Sequence, residues 1–399
     1  MAENTEVVVV GGGYAGVMAA NRLTRRDEVT VTLINPRPNF VERIRLHQVV
    51  GGSHEAVVDF PELLNARVRL VVDSVEHIDA AARELTLVAG SPVHYDYLIY
   101  AVGSGSTGSG VPGAAEFAYP VASLEEAQRL RSTLDDLPAT AALTVVGAGP
   151  AGIETAAELA EEGHSVTLVC GGDLGPYLHP KGRRSVARQL SRLGVAVVDG
   201  PGTEVTAVTR QAVRLADGRE LPSGVTVWTT GFGVPDLAAR SGLTTDALGR
   251  LITNETLTSV DDDRIVAAGD SAAPSDLPFR MGCQSAVQLG PQAAETVLSR
   301  IAGERPANVA VGFAGQCLSL GRGAGVFQFA HRNDVALRLH LGGRPGAKLK
   351  EFVCASTVKQ LANEGRKPGK RNLWVKDGKR ERLLRAQGEG SPAGSGRPA

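Results

Sequence analysis

Residues 6–26 read EVVVVGGGYAGVMAANRLTRR, and residues 29–35 follow as VTVTLIN. Val7 to Val10 is a short β-branched run ending on three glycines, so it reads as a buried strand entering a tight turn. Val17 to Leu23 reads as a helix packed on that strand, and Val29 to Ile34 as the next strand. A strand, glycine turn, helix and strand within about 30 residues make one βαβ unit. The same plan recurs with an offset of 136 residues, from Gly11 to Gly147. Leu143 to Val146 is its strand, GAGPAG its turn, Ile153 to Glu162 its helix and Ser165 to Val169 its second strand. Beyond the turns the likeness continues. RVRLVV, RELTLV and YDYLIYAVG follow the first unit; VAVV, AVRLADGRELP and VTVWTTGFG follow the second, and both series end in an apolar strand running into glycine.

Each turn has the spacing Gly-x-Gly-x-x-Gly. In the first, Gly11 allows the tight turn, Gly13 lets a pyrophosphate approach the backbone, and Gly16 lets helix and strand pack closely. Gly147, Gly149 and Gly152 repeat the pattern. The helix start behind each turn offers unpaired N–H groups and a positive dipole end to phosphate. One such turn is a weak signal. Two, each framed by strand and helix, point to two dinucleotides, one held permanently and one exchanging.

The ribose-binding acid expected at the end of the second strand is absent from both units. Asn35 stands there in the first and can still hydrogen-bond a hydroxyl; Cys170 stands there in the second. With no acid to repel a 2′-phosphate, and with Arg183 and Arg184 a short distance on, the second unit leans toward NADPH while leaving NADH open. Asp270 follows the apolar strand Arg264 to Ala267 and Gly269. It can serve a flavin's ribityl chain, or simply cap the residues after it.

Composition excludes several classes. The chain has 399 residues, a formal net charge of −1 and 43% hydrophobic residues, so wholesale disorder and a surface built to grip nucleic acid are both ruled out. No run of about 18 apolar residues marks a spanning helix, and MAENTEVVVVGGG lacks the layout of a secretory signal. Cys170, Cys283, Cys317 and Cys354 lie far apart without metal-ligand spacing, so no metal site is expected and a reducing cytoplasm fits. Glycine is abundant, with 48 residues. Residues 364–399 hold ten basic and four acidic residues. They read as a mostly disordered basic tail with a short helix around Leu373 to Leu384.

GGGYAG, YDYLIYAVGS, VVGAGPAGIE, VWTTGF and RIVAAGDSA, in that order, resemble the two-dinucleotide-binding-domain flavoproteins of the pyridine nucleotide-disulfide oxidoreductase superfamily. Within them the chain is similar to the branch of type II NADH dehydrogenases and apoptosis-inducing-factor-like proteins. The resemblance implies an α/β fold with two Rossmann-like domains: an FAD domain over 1–120 and 248–310, an inserted NAD(P)H domain over 121–247, a small C-terminal α/β region over 311–362 and a basic tail over 363–399. It implies FAD contacts from Gly11, Gly13, Gly16, Asn35, Gly103, Gly269 and Asp270. Gly147, Gly149 and Gly152 would meet the nicotinamide nucleotide, with Arg183 and Arg184 beside it.

PRPNFVERIRLHQVVGG carries no cysteine pair, which sets the dithiol reductases of the superfamily aside. Glu154 stands where the similar dehydrogenases place a glutamate near nicotinamide and flavin, and an acid in a helix's first turn also suits the dipole. Gln284 and Gln288 resemble the glutamines beside the quinone pocket of type II enzymes, with Cys283 in place of the usual alanine. His47 lies where the relatives' redox cysteines would be. The implied activity is hydride transfer from NAD(P)H to FAD, then electron transfer to an acceptor such as a quinone. A soluble flavoenzyme with another small acceptor or O2, and a redox-controlled interaction module, stay open. Lys348 to Ala362 reads as amphipathic, with Leu349, Phe352, Val353 and Leu361 opposed to Lys348, Lys350 and Lys359. Contact with a membrane's inner face through this region, and a homodimer, are open as well. No specific nucleic acid partner is expected.

Overall fold

The computed structural model describes residues 4–108, 110–138, 141–369, 379–380 and 382–385. Two five-stranded sheets carry the molecule. The first runs, edge to edge, Ile265–Ala267, Tyr97–Tyr100, Thr5–Val10, Val29–Asn35 and Val68–Val72, all parallel. The second runs Ala118–Pro120, Val225–Trp228, Ala142–Val146, Ser165–Val169 and Ala196–Val198, also parallel throughout. In both, the strand that feeds the glycine turn lies at the centre. Strands buried on both faces need β-branched residues on both, which is why VVVV and LTVV lack polar–apolar alternation.

Each unit also carries a three-stranded antiparallel meander, Val75–His94 in the first and Val205–Pro222 in the second. The first glycine helix spans Tyr14–Leu23 and the second Pro150–Glu161. Both begin three residues earlier than their apolar periodicity suggests, because the glycine turn itself leads into the first helical turn.

The C-terminal region holds three antiparallel strands, Gly315–Ser319, Gly325–Ala330 and Ala336–Gly342. Its helix spans Gly343–Arg366. The amphipathic reading of that helix needs correction. The buried stripe is Gly346, Lys350, Cys354, Thr357, Leu361 and Glu364, while Phe352 is 67% exposed. Residues 350, 354, 357 and 361 share one face at helical spacing, and position 352 points the other way. Lys350 can be buried because an acid faces it. Of the expected tail helix, residues 373–378 and 381 lie outside the described residues. Among the described residues no helix is long and apolar enough to cross a membrane.

Candidate functional site

The first glycine turn is built by close approach. Gly11 has φ +103°, and a Cβ there would lie 2.3 Å from the Ala101 carbonyl oxygen. A Cβ on Gly16 would lie 1.8 Å from the Gly11 carbonyl oxygen, whereas Gly13 faces open space. The helix behind it has no side-chain cap and no acid in its first turn. Its leading N–H groups therefore face that space without a side-chain acceptor, the condition for receiving a phosphate. Asn35 is buried, and its role is more local than its position suggests. Its Oδ1 accepts the Gly12 N–H and its Nδ2 donates to the Arg37 carbonyl, both at 2.8 Å. Asn35 thus locks the turn, keeping one amide hydrogen and one lone pair for a ligand.

Asp270 does not cap the residues after it. Its Oδ1 accepts the Gly282 N–H at 2.8 Å and its Oδ2 accepts from Ser104 Oγ at 2.7 Å. Arg43 stands 3.8 Å from the same carboxylate and donates to Ser104 Oγ at 3.1 Å. The Cβ position of the neighbouring Gly103 lies 3.9 Å from Arg43 Nη1. Gly269 packs against Ala15 of the first glycine helix and Ala286. Asp270 therefore joins the Gly103 loop to the start of the helix Cys283–Ile301 on one side of the first glycine turn.

In the second unit, Gly149 faces open space and a Cβ on Gly152 would lie 2.0 Å from the Gly147 carbonyl oxygen. Pro150 occupies the start of the helix, where its missing N–H costs nothing. Arg183 donates to Asp173 at 2.8 Å, so its charge is already matched by a carboxylate; Arg184 is exposed.

Glu154 sits beyond the first turn of its helix, which starts at Pro150 and has no acid in that turn. The helix dipole is therefore not its partner. Its Oε1 accepts from Lys350 Nζ and from the Ser319 N–H, both at 2.8 Å. The two side chains are 6% and 7% exposed. Burial pushes the Glu154 carboxyl up, but the Lys350 ammonium, His47 and the Ser319 amide outweigh it and hold it below its ordinary value. Burial pulls Lys350 down, and the Glu154 carboxylate overcomes that and raises it. His47 Nδ1 lies 3.7 Å from Glu154 Oε2. Burial pulls His47 down to about 4 against the pull of Glu154, and the Lys350, Arg322 and Arg45 cations deepen the fall. Near pH 7 its imidazole is neutral, so this approach is not an ion pair.

Three of the four cysteines gather around Lys350, which the linear spacing conceals. Burial pushes the Cys283 thiol up to about 12 and the Cys354 thiol up to about 11, and it raises Cys317 too. All three are free and protonated near neutrality. Tyr14 Oη, His47 Nε2, Gln48 Nε2 and Tyr177 Oη are buried without a hydrogen-bond partner among the described residues.

Gln284 and Gln288 act on the chain itself. The Gln288 amide donates to the Gln284 carbonyl at 2.8 Å and the Gly312 carbonyl at 3.0 Å, and accepts the Gly312 N–H at 3.1 Å. The Gln284 amide bridges the Ala314 N–H and the Gly315 carbonyl at 3.2 Å. Gln292 treats Ala310 the same way. One helix face thus reads a run of backbone over 310–315 as a strand partner would.

Lys350, Tyr177 and Ser319 were not visible as site residues in the sequence. The available signal was a lysine in helical register with Cys354, Thr357 and Leu361, on the face that the fold buries. The groups present fit two dinucleotides: two open glycine positions, two helix starts without side-chain caps, and unpaired buried polar atoms near the junction.

The family model for pyridine nucleotide-disulphide oxidoreductases matches residues 5–296. An NADH dehydrogenase-like protein of Mycobacterium tuberculosis is 32% identical over 298 residues, covering 67% of this chain and 73% of that protein. A type II NADH:quinone oxidoreductase of Staphylococcus haemolyticus is 25% identical, covering 91% of this chain and 97% of that one. Among solved structures, the sulfide:quinone oxidoreductase of Aquifex aeolicus superposes with a TM-score of 0.76 at 20% identity, covering 92% of this chain and 93% of that one. NDH2 of Plasmodium falciparum in complex with NADH gives 0.75 at 16%, covering 91% and 98%. These two likenesses concern the fold. The two parallel sheets, the paired glycine turns and the family match agree: the chain belongs to the pyridine nucleotide-disulphide oxidoreductase family, and it is an oxidoreductase that works with FAD and NAD(P)H.

Proposed function

We propose that this chain is an NADH:quinone oxidoreductase that holds FAD at the first glycine turn and exchanges the nicotinamide nucleotide at the second. The observation that carries this reading is the buried Lys350–Glu154 pair, set where the second glycine helix, the C-terminal helix and His47 meet. FAD, when bound, supplies the two-electron relay between donor and acceptor. Gly11, Gly13 and Gly16 would admit its pyrophosphate, Asn35 holds the turn closed, and Asp270 with Gly103 and Gly269 would hold its ribityl side. Gly147, Gly149 and Gly152 admit the nucleotide. Arg183 is already matched by Asp173 and only Arg184 is left exposed beside it, and the relatives named for NADH support NADH as the preferred donor.

A quinone gaining electrons gains negative charge on oxygen. A preorganised ammonium in a water-poor site stabilises that charge without reorganising, and Lys350 holds its proton at Nζ there. Glu154 keeps Lys350 charged, and neutral His47 brings no competing cation. Gln284 and Gln288 shape the wall by fixing residues 312–315. The relatives' printed names support the quinone.

Val335, Leu339, Leu341 and Phe352 leave apolar surface exposed on the C-terminal region. That surface supports peripheral contact with a bilayer, where a lipid-soluble quinone would be met. The test is an anaerobic visible spectrum. The flavin band should bleach with NADH faster than with NADPH and return on adding a quinone. A protein that takes up no flavin on reconstitution, or whose reduced flavin ignores quinone, overturns the reading.

A further inference from the structure

Arg380 lies beyond the family-matched residues 5–296, yet its guanidinium is among the most fully engaged groups in the molecule. Nε and Nη2 each donate to the Glu255 carboxylate at 2.8 Å. Nη1 donates to the Leu277 carbonyl at 2.9 Å, and Nη2 also donates to the Pro274 carbonyl at 2.8 Å. The guanidinium lies over the Phe279 ring, 4.4 Å from its centroid. The Arg380 side chain is 11% exposed and that of Glu255 15%. A forked carboxylate pair, two carbonyls and a ring face form a set that a lysine cannot satisfy.

Three of those four partners belong to one loop. Between Pro274 and Gly282 the chain passes through Ser275 and Asp276, both at φ +52°, a conformation that non-glycine residues hold only when neighbours impose it. Arg280 fixes the far end of the loop, pairing with Asp334 and lying over Phe313 at 5.0 Å. The loop then delivers the Gly282 N–H to Asp270 and starts the helix at Cys283 and Gln284.

We propose that Arg380 is a positioning residue for the acceptor side of the site: it clamps the loop 274–282 in the shape that seats Gly282 on Asp270 and sets Cys283 and Gln284 beside the flavin. Arg380 is thereby part of the active architecture. This inference rests on the reading of the site given above.

The test uses full-length holoenzyme in stopped flow, with the half-reactions separated. In R380A the bleaching of flavin by NADH should stay within about twofold of wild type. Reoxidation by quinone should slow roughly ten- to a hundredfold, the usual size of a misplacement of about 1 Å. E255Q, which weakens the charged fork but leaves the two carbonyls and the ring in place, should slow reoxidation less and in the same direction, and the double variant should be no worse than R380A, since Arg380 is then already gone. R380K, which keeps the charge but loses the fork, should fall between and carries the test if R380A folds poorly. Hydrogen exchange over 274–284 gives a readout independent of the acceptor and should quicken about tenfold or more in R380A and by less in E255Q. Unchanged exchange overturns the clamp whatever the acceptor proves to be. So does a fully flavinated R380A that quinone reoxidises at the wild-type rate. A wild type that bleaches with NADH but ignores quinone removes the proposed acceptor, and exchange then decides the clamp alone.

Discussion

The two glycine turns share one backbone design and sit in different surroundings. The first is walled in by remote chain. Nine of the ten residues of Tyr14–Leu23 are buried, and Gly269 and Gly290 of the later chain pack against Ala15 at the start of that helix. The second glycine helix instead presents acids that are tied to several parts of the molecule. Glu154 meets Lys350, Glu158 meets Ser53 and Arg322, Glu161 meets the Arg322 amide, and Glu162 meets Arg131. Beyond that helix, Asp173 and Arg184 are exposed to water. A turn fixes where phosphate can sit; the surroundings decide whether the nucleotide stays. A first turn backed by a helix packed into the core suits a resident FAD, and a second turn with exposed residues after its second strand suits an exchanging donor.

Matched substitutions should separate the turns most strongly. A side chain at Gly16 or Gly152 would overlap a carbonyl oxygen at 1.8 or 2.0 Å. Gly16→Val should purify without flavin absorbance. Gly152→Val should stay yellow while its bleaching by NADH slows roughly a hundredfold. If Gly152→Val also arrives colourless, the division of labour is wrong.

The next effect concerns the buried pair that anchors the second turn. Lys350→Met leaves Glu154 buried without its cation, which costs about 3–5 kcal/mol of stability. Chemical denaturation should show this. Adding Glu154→Gln should restore most of the loss, because the pair then disappears as a unit.

Acid should weaken the same junction. His47 has its pKa pulled down to about 4 in the fold and regains the ordinary imidazole value of about 6.5 when unfolded. Its contribution is complete above the unfolded value and is lost as pH falls from there toward 4, by about 3 kcal/mol. Glu154, also depressed in the fold, acts in the same direction at lower pH. Urea midpoints should therefore drop between pH 7 and 4.5, and His47→Leu should flatten the upper part of that slope.

The smallest effect belongs to exposed Asp173. Asp173→Asn frees Arg183 and should raise the ratio of NADPH to NADH use by about fivefold, the scale of one exposed ion pair. Steady-state kinetics with both nucleotides measures it. An unchanged ratio would place the 2′ position elsewhere.

What was legible in the sequence follows the range of the forces involved. Gly11 and Gly147 were readable because a glycine turn is a local backbone requirement; of the meanders only the stretches RELTLV and AVRLADGRELP stood out, because the pairing of their outer strands is not written locally. The junction was not, because its members come from six distant segments: His47, Glu154, Tyr177, Cys283, Cys317 with Ser319, and Lys350 with Cys354. Polarity even misdirected the reading. A lysine is assigned to solvent unless its acid is known, and Phe352 was set on one face with Leu361 although the fold buries Leu361 and turns Phe352 outward. The glutamines at 284 and 288 were visible as a motif, but only the fold shows their amides gripping the backbone of 310–315.

The first sheet takes its edge strand Ile265–Ala267 from beyond the whole second sheet, while the strand it joins, Tyr97–Tyr100, is made far earlier. On a ribosome adding roughly 5–20 residues per second, that edge waits on the order of ten to thirty seconds for its neighbour. The second sheet lies wholly within 118–228 and can close during the wait. An unpaired apolar strand is a place where nascent chains misassociate. Synthesis rate and chaperone supply should therefore limit the yield of active protein more than its final stability does, and slowing translation after residue 267 should matter less than slowing it before.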